Sequence, residues 1–212
     1  MKLVVIGAGG HGKVVVATAM EAGMEVLAVL DDDSNKWGSR LLEAPVWGPI
    51  FSFSSFAHET DVGFVLAIGE NKLRKKLATQ IQGVRWATLV HPKAYVHPSA
   101  SVGEGTVIFA GAVVQPSALI GKHVIVNTGA VVEHDCKVGD WAHLASGARL
   151  AGGVNIEEGA FLGTGGVVIS GRRIGRWSIV GAGAVVVRDI PAQSVAYGVP
   201  ARVQKTLEGE AR

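Results

Sequence analysis

The sequence lacks the features that mark disulfide-rich, membrane or nucleic-acid-binding proteins. It has one cysteine, so no disulfide can form within the chain, which fits a reducing compartment. It has no run of about 18 apolar residues, and its apolar start has no small-residue cleavage site. The net charge of +2 gives no reason to expect a nucleic acid. We therefore predict a cytoplasmic protein with no membrane and no nucleic-acid partner.

Aromatic side chains are also scarce, at 6 % of 212 residues, whereas hydrophobic residues make up 48 % and glycine occurs 29 times. The core must therefore consist mainly of small aliphatic side chains. Charged residues, at 18 %, are too few and hydrophobic residues too many for a disordered chain. Glycine does not recur at every third position, which excludes a collagen-like structure.

Residues 1–90 alternate segments typical of strands and helices, and we assign them to one domain. The predicted strands are 2–6, 25–30, 63–68 and 87–90, and the predicted helices are 13–22 and 71–82. The order β-α-β, repeated, predicts a small parallel α/β sheet of Rossmann-like type. Residues 34–58 hold two Trp, three Phe and two Pro, and we predict a loop with little regular structure.

From residue 91 to 212, a second predicted domain, the hydrophobic period becomes six. Every sixth residue from Val96 to Val186 is Val, Ile or Leu, over sixteen positions without a break. The residue four positions later is usually small, and Cys136 is one of these small residues. A helix cannot keep a period of six on one face, whereas each hexapeptide can form one flat side of a parallel β-helix. We predict an all-β parallel β-helix, with a charged, disordered tail at residues 204–212.

Four short motifs accompany the repeats, namely VIGAGGHG at 5–12, AIGEN at 67–71, EHDC at 133–136 and YGVPA at 197–201. With them the chain resembles the hexapeptide-repeat sugar-nucleotide N-acetyltransferases of the bacillosamine and perosamine type, which are grouped with the sialic-acid O-acetyltransferases. This resemblance implies a left-handed, three-sided β-helix. It also implies acetyl-CoA as co-substrate and a UDP- or GDP-linked 4-amino-deoxysugar as acceptor.

Gly7, Gly9 and Gly12 match G-x-G-x-x-G between a predicted strand and helix, and Asp31 ends the next strand. Such a loop binds a pyrophosphate at a helix N-terminus. The short first domain has too few strands for a full NAD-binding sheet, and a nucleotide sugar carries the same pyrophosphate. The resemblance implies that the sugar nucleotide is bound by Gly9, Gly10, His11, Asp31, Asp32, Ile68, Gly69 and Asn71.

Among the seven histidines, His134 stands out because Asp135 adjoins it. A protonated sugar amine must lose a proton before it can attack a thioester, and histidine titrates in the required range. A neighbouring carboxylate favours the protonated imidazole and makes it a stronger base. A His-Asp pair alone is most often a surface turn; the resemblance assigns His134 as general base and Asp135 as the group that tunes it. We assign His123, on a predicted turn, to the solvent-facing surface.

With about 18 residues per coil, Ser146, Thr164 and Ala182 fall in one column along the axis, with His143 three residues before it. The resemblance implies that His143 contacts the thioester end of acetyl-CoA, and that Thr164 and Ala182 give backbone contacts to CoA. His134 lies two sides of the triangle away from this column. We therefore predict a homotrimer whose active site combines His134 of one subunit with His143 of the next.

Three other functions remain open at this point. The protein could acetylate a hydroxyl of a sugar such as sialic acid, or bind a nucleotide sugar without turnover. The glycine loop alone also allows an NAD oxidoreductase. We expect no metal, because the His and Cys residues lack ligand spacing, and no covalent acyl carrier, because Cys136 occupies a core position.

Overall fold

The computed structural model describes residues 1–207, which begin with a five-stranded sheet. Its strands are β1 (Lys2–Ile6), β2 (Glu25–Leu30), β3 (Arg40–Leu41), β4 (Ala44–Gly48) and β5 (Val62–Leu66), in the order β3-β4-β2-β1-β5. All neighbours pair in parallel except β3 and β4. Helix α1 spans Gly10–Glu21 and helix α2 spans Asn71–Gln80. The predicted Rossmann-like α/β fold is confirmed.

Two details of this sheet differ from the sequence prediction. The prediction of an irregular loop at 34–58 is wrong, since this segment contains the β3–β4 hairpin and two 3₁₀ turns, Ser34–Lys36 and Ile50–Ser55. Residues of β4 alternate between buried and exposed, and β4 pairs in parallel with β2. The prediction that 87–90 continues the sheet holds only at its start, where the Ala87 amide donates to the Phe64 carbonyl of β5, whereas Leu89–Val90 pairs with a strand of the β-helix.

The β-helix has three faces built from strands that are mostly two residues long. Face 1 consists of β7 (Tyr95–Val96), β10 (Val113–Val114), β13 (Val131–Val132), β16 (Arg149–Leu150), β19 (Val167–Val168) and β22 (Val185–Val186). Face 2 consists of β8 (Ser101–Val102), β11 (Leu119–Ile120), β14 (Lys137–Val138), β17 (Asn155–Ile156) and β20 (Arg173–Ile174). Face 3 consists of β6 (Leu89–Val90), β9 (Val107–Ile108), β12 (Ile125–Val126), β15 (His143–Leu144), β18 (Phe161–Leu162), β21 (Ile179–Val180), β23 (Ser194–Tyr197) and β24 (Arg202–Thr206).

A coil takes 18 residues, because Val113 pairs with Val131 and Val131 with Arg149. The second residue of the strands from β9 to β22 points inward and is buried, as is the small residue immediately before most of these strands. Burying one such Val, Ile or Leu contributes about 1.5–3 kcal/mol, so the period of six builds the core directly. Cys136 takes one of these small inward positions, as predicted. The left-handed parallel β-helix predicted for this region is confirmed.

The corners between faces repeat with the same spacing and need a left-handed backbone residue in each coil. The corner between faces 1 and 2 uses Ser117, Asp135, Gly153 and Gly171. The corner between faces 2 and 3 uses Gly105, His123, Trp141, Gly159 and Trp177. The corner between faces 3 and 1 uses Gly111, Gly129, Gly147, Gly165 and Gly183. These corners place His134 at one edge of the prism, and Thr164 and Ala182 at another.

Helix α2 joins the sheet to the corner between faces 2 and 3. Lys75 pairs with Glu158 at 2.6 Å, and the Asn71 amide donates to the Gly159 carbonyl at 3.0 Å. The prediction of a solvent-facing His123 is wrong. Its ring is 3 % exposed and lies stacked on Trp141 with 4.4 Å between ring centroids, because its left-handed corner directs it along the prism.

Of the tail that we predicted to be disordered, residues 204–206 belong to β24, and residues 208–212 lie outside the described part of the chain. Within residues 1–207, none of the helices is both long enough and apolar enough to span a bilayer.

Candidate active site

His134 and Asp135 form an exposed pair at the corner between faces 1 and 2. The imidazole Nδ1 donates to Asp135 Oδ2 at 2.7 Å, and the His134 side chain is 63 % exposed. The hydrogen bond that His134 donates to Asp135 raises the pKa of His134. Because Nδ1 holds its proton toward the carboxylate, the neutral ring presents Nε2 with a free lone pair. This arrangement can accept a proton from an incoming amine.

A pH profile tests the part that Asp135 plays. We expect Asp135→Asn to move the acid limb of kcat/KM to lower pH and to lower its plateau by about 10-fold, because His134 loses the charge that raises its pKa. Asparagine tolerates the φ of 60° that residue 135 adopts, so the backbone is kept. The profile is measured between about pH 5 and 9. An acid limb that stays in place would show that Asp135 does not tune the base.

Gly152 lies one coil beyond His134 and leaves room for its ring. A Cβ at residue 152 would lie 2.6 Å from His134 Nε2 and Cε1, which is too close for any real contact. The imidazole can therefore keep this position only while residue 152 has no side chain.

We expect Gly152→Ala to lower turnover by roughly 10-fold while the melting temperature stays near that of the wild type. The exposed ring can swing away from the new methyl group, but it then leaves its place beside the reacting amine. Gly103→Ala is the matched control, since its Cβ would meet the Gly121 backbone at 2.6 Å, and it should lower the melting temperature instead. Thermal unfolding and steady-state rates of both variants check this contrast. A Gly152→Ala enzyme with wild-type turnover would contradict it.

His143 lies on face 3 beneath the AIGEN loop of the first domain and is 7 % exposed. Its Nδ1 donates to the Gly69 carbonyl at 3.2 Å, and its Nε2 accepts from Asn127 Nδ2 at 3.2 Å. Burial, and then the charge of Arg74, lower its pKa to about 3. This ring is therefore neutral at physiological pH and acts as a hydrogen-bonding group, not as a base.

His11, at the start of α1, lies beside this site. Its ring centroid is 6.3 Å from that of His143 and 5.4 Å from that of Phe109. Its Nε2 is buried without a hydrogen-bond partner among residues 1–207. Burial and the charge of Arg74 lower its pKa to about 4. The structure thus brings together three predicted site residues, His11, Gly69 and His143.

The glycine loop is held by Asp31, whose Oδ2 accepts from the Ala8 amide at 2.7 Å. Burial opposes the ionisation of Asp31, but hydrogen bonds from Ala8, Asp33 and Lys36 outweigh it and lower its pKa. A Cβ on Gly12 would lie 2.3 Å from the Gly7 carbonyl oxygen, whereas a Cβ on Gly9 or Gly10 would meet open space. The tip of the loop is therefore free to receive a ligand.

The remaining predicted residues lie in three different settings. Asp32 Oδ1 accepts from the Ile50 amide at 2.9 Å. The Ile68 carbonyl accepts from Arg74 at 2.9 Å, and the Asn71 side chain is used between the sheet and the β-helix. Thr164 and Ala182 are exposed, one coil apart. The binding roles of these five residues, like the roles of the other predicted site residues, stay predictions.

Two family models match the chain, namely the PglD N-terminal domain over residues 2–81 and the bacterial transferase hexapeptide (six repeats) over residues 117–152. PerB from Caulobacter crescentus, solved in complex with CoA and GDP-perosamine, is 41 % identical with a TM-score of 0.89, covering 97 % of this chain and 98 % of that chain. The acetyltransferase domain of PglB from Neisseria gonorrhoeae FA1090, solved with acetyl coenzyme A, is 37 % identical with a TM-score of 0.89, covering 95 % and 98 %. The chain belongs to the sugar-nucleotide N-acetyltransferase family.

Two curated relatives match this chain over a shorter stretch. The UDP-N-acetylbacillosamine N-acetyltransferase of Bacillus subtilis (strain 168) is 42 % identical over 112 residues, which is 50 % of this chain and 50 % of that protein. An uncharacterized protein of Acanthamoeba polyphaga mimivirus is 29 % identical over 49 % of this chain and 20 % of that protein. The chain thus matches half or less of the length of these two relatives.

Sequence reasoning missed three residues of this family member's site. Gly152 could have been found, because it lies 18 residues after His134 and therefore directly beneath it in the next coil. Asn127 and Arg74 carry no such signal. Their roles depend on how the first domain packs on face 3.

Proposed function

We propose that this chain transfers the acetyl group of acetyl-CoA to the amine of a UDP- or GDP-linked 4-amino-deoxysugar. The observation that carries the proposal is the exposed His134–Asp135 pair, whose Nε2 is free to accept a proton. The amine attacks the thioester carbonyl, and Nε2 of His134 takes the proton that the nitrogen loses. The C–S bond then breaks, and the imidazolium returns the proton to the departing sulfur of CoA.

The transfer is direct, without an acyl-enzyme. Cys136 is buried in the β-helix core, where its Sγ donates to the Ala151 carbonyl at 3.2 Å. Burial raises the pKa of this thiol, which makes it a poor nucleophile. The amine itself is the nucleophile that the reaction needs.

The two halves of the chain divide the substrates between them. Residues 1–90 form the domain that binds the nucleotide sugar, with the open tip at Gly9 and Gly10 receiving the pyrophosphate and His11 lying next to it at the start of α1. Residues 91–212 form the acetyltransferase domain. Acetyl-CoA lies along the exposed column of Thr164 and Ala182, with its acyl end near His143. PerB, which was solved in complex with CoA and GDP-perosamine, supports the two classes of substrate but does not itself assign them to the two domains.

The active site is shared between the subunits of a homotrimer. On face 1 the outward side chains are mostly apolar and half-buried or exposed, namely Tyr95, Val113, Val131, Arg149, Val167 and Val185. On face 2 most of the outward side chains are polar, namely Ser101, Leu119, Lys137, Asn155 and Arg173. An apolar face of this kind is suited to contact another copy. Because His134 lies at the edge of face 1, that contact delivers it to the neighbour's His143.

A thiol-release assay tests this function. Acetyl-CoA is offered with a panel of UDP- and GDP-linked 4-amino-deoxysugars, with the matching 4-hydroxy sugars and sialic acid as controls. CoA release that requires the amine supports N-acetylation. Release with a hydroxyl acceptor alone would assign O-acetylation instead, and no release with any acceptor would favour a binding protein without turnover.

A further inference from the structure

Arg74 of α2 is a charged side chain that the protein buries almost completely, at 1 % exposure. Its Nε donates to the His123 carbonyl at 2.9 Å, and one terminal nitrogen donates to the Ile68 carbonyl at 2.9 Å. The other terminal nitrogen donates to Asn71 Oδ1 at 2.9 Å and to the Trp141 carbonyl at 2.6 Å. One guanidinium group thus joins the loop before α2 to two successive coils of the β-helix.

No carboxylate accepts a hydrogen bond from Arg74 within residues 1–207. Glu70, its acidic neighbour, instead accepts from the Lys72 and Leu73 amides and caps the N-terminus of α2. A buried cation is stable only when its donors are all satisfied, and here neutral oxygens satisfy them. Arg74 therefore keeps a positive charge inside the protein, next to the candidate site.

The oxygens that Arg74 holds surround His143. Arg74 also reaches the Gly69 carbonyl at 3.4 Å, and this is the oxygen that accepts the Nδ1 proton of His143. It reaches the carbonyl of Ala142, the residue before His143, at 3.4 Å. Arg74 thus fixes both the backbone that carries the ring and the acceptor that selects its tautomer.

Of the groups that face His143, the Gly69 carbonyl favours a positive ring, and burial together with the other groups outweighs it. These other groups are His11 of α1, Arg74 of α2, the Asn127 amide of the adjoining corner and the Phe161 ring of the next coil. If His143 gained a proton on Nε2, two donors would meet where Asn127 Nδ2 now donates. The low pKa of His143, at about 3, agrees with this geometry.

We propose that Arg74 is a positioning residue for the acetyl transfer, which holds His143 as the neutral tautomer with the proton on Nδ1 and fixes the AIGEN loop above it. The kinetic consequence rests on the proposed function, whereas the state of the His143 ring does not. Arg74 acts through His143 and touches no substrate itself.

The first test reads the ring directly. The full chain is labelled with ¹⁵N in its histidine rings, and the His143 signal is identified by its loss in His143→Gln. In the wild type we expect neutral His143 with the proton on Nδ1 down to about pH 5. In Arg74→Met we expect mixed tautomers and a His143 pKa above that of the wild type, because the charge of Arg74 is gone while burial still lowers the pKa. Lys76→Met, which removes an exposed charge from the same helix, should leave the signal unchanged. Arg74→Lys keeps the charge, but its three donors cannot replace all six contacts of the guanidinium, so its signal should fall between the two.

The second test reads the reaction. Arg74→Met should lower kcat/KM by about 10²-fold and add a second acid limb to its pH profile, because protonated His143 no longer fits its site. A folded Arg74→Met protein with an unchanged His143 tautomer and a single acid limb would make Arg74 a purely structural contact. If neither variant folds, the wild type decides, since a His143 that gains a proton between pH 5 and 7 overturns the proposal. If no sugar is acetylated, the proposed function fails, but the state of the His143 ring still tests the role of Arg74.

Discussion

Replacing His134 with alanine is expected to lower acetyl transfer by about 10²–10⁴-fold. The amine loses a proton as it attacks the thioester, and the proposed acceptor is Nε2 of the exposed His134 ring, which has no hydrogen-bond partner among residues 1–207. Without the ring, the proton must pass to water. The rate is measured as CoA release with the best sugar nucleotide of the panel, at saturating acetyl-CoA.

A matched control separates the loss of a base from the loss of any histidine. His58 is exposed in the first domain, away from both halves of the proposed site, so His58→Ala should keep wild-type turnover. The residual rate of His134→Ala should rise with pH, because the free amine then becomes more abundant without help. A drop of less than about three-fold in His134→Ala would move the role of the base to another group.

The β-helix could be predicted from the sequence because its core repeats. One side chain in six must be aliphatic, and the residue four positions later must be small. The pattern that packs each coil therefore lies within a few neighbouring residues of the sequence. The β3–β4 hairpin was missed because its alternation covers five residues of β4 and lies among exposed aromatic residues. His123 was misplaced because its left-handed corner and its stack on Trp141 involve residues from two coils.

The site divides in the same way into local and distant contacts. His134 and Asp135 are adjacent in the chain, so their pairing is readable from two letters. His143 and Gly69 are 74 residues apart, and their contact depends on how the first domain lies on face 3. A basic helix such as α2 usually presents all its cations to water, so nothing in its pattern indicates that Arg74 is buried. Contacts within one structural element were therefore predictable, and contacts that depend on how the first domain packs on the β-helix were not.

Two inactive variants should restore one another if the active site lies between subunits. His134→Ala removes the base, and Ala182→Trp fills the exposed column proposed for CoA at a different corner of the prism. Each variant alone should form a trimer with less than about 1 % of wild-type turnover. In every trimer that contains both chains, one site in three combines an intact His134 corner with an intact column, so we expect about a third of wild-type turnover per subunit.

The two chains are co-expressed with different tags and purified by both in turn, so that each trimer contains both variants. Trimers in which both tagged chains carry His134→Ala are the control, because the same handling should leave them inactive. If the mixed trimers are as inactive as trimers of either variant alone, His134 and the CoA column of the same chain form one site, and the proposal of a shared site is wrong. An active monomer in size-exclusion chromatography with light scattering would also contradict the shared site, because His134 and the CoA column lie at different corners of a single β-helix.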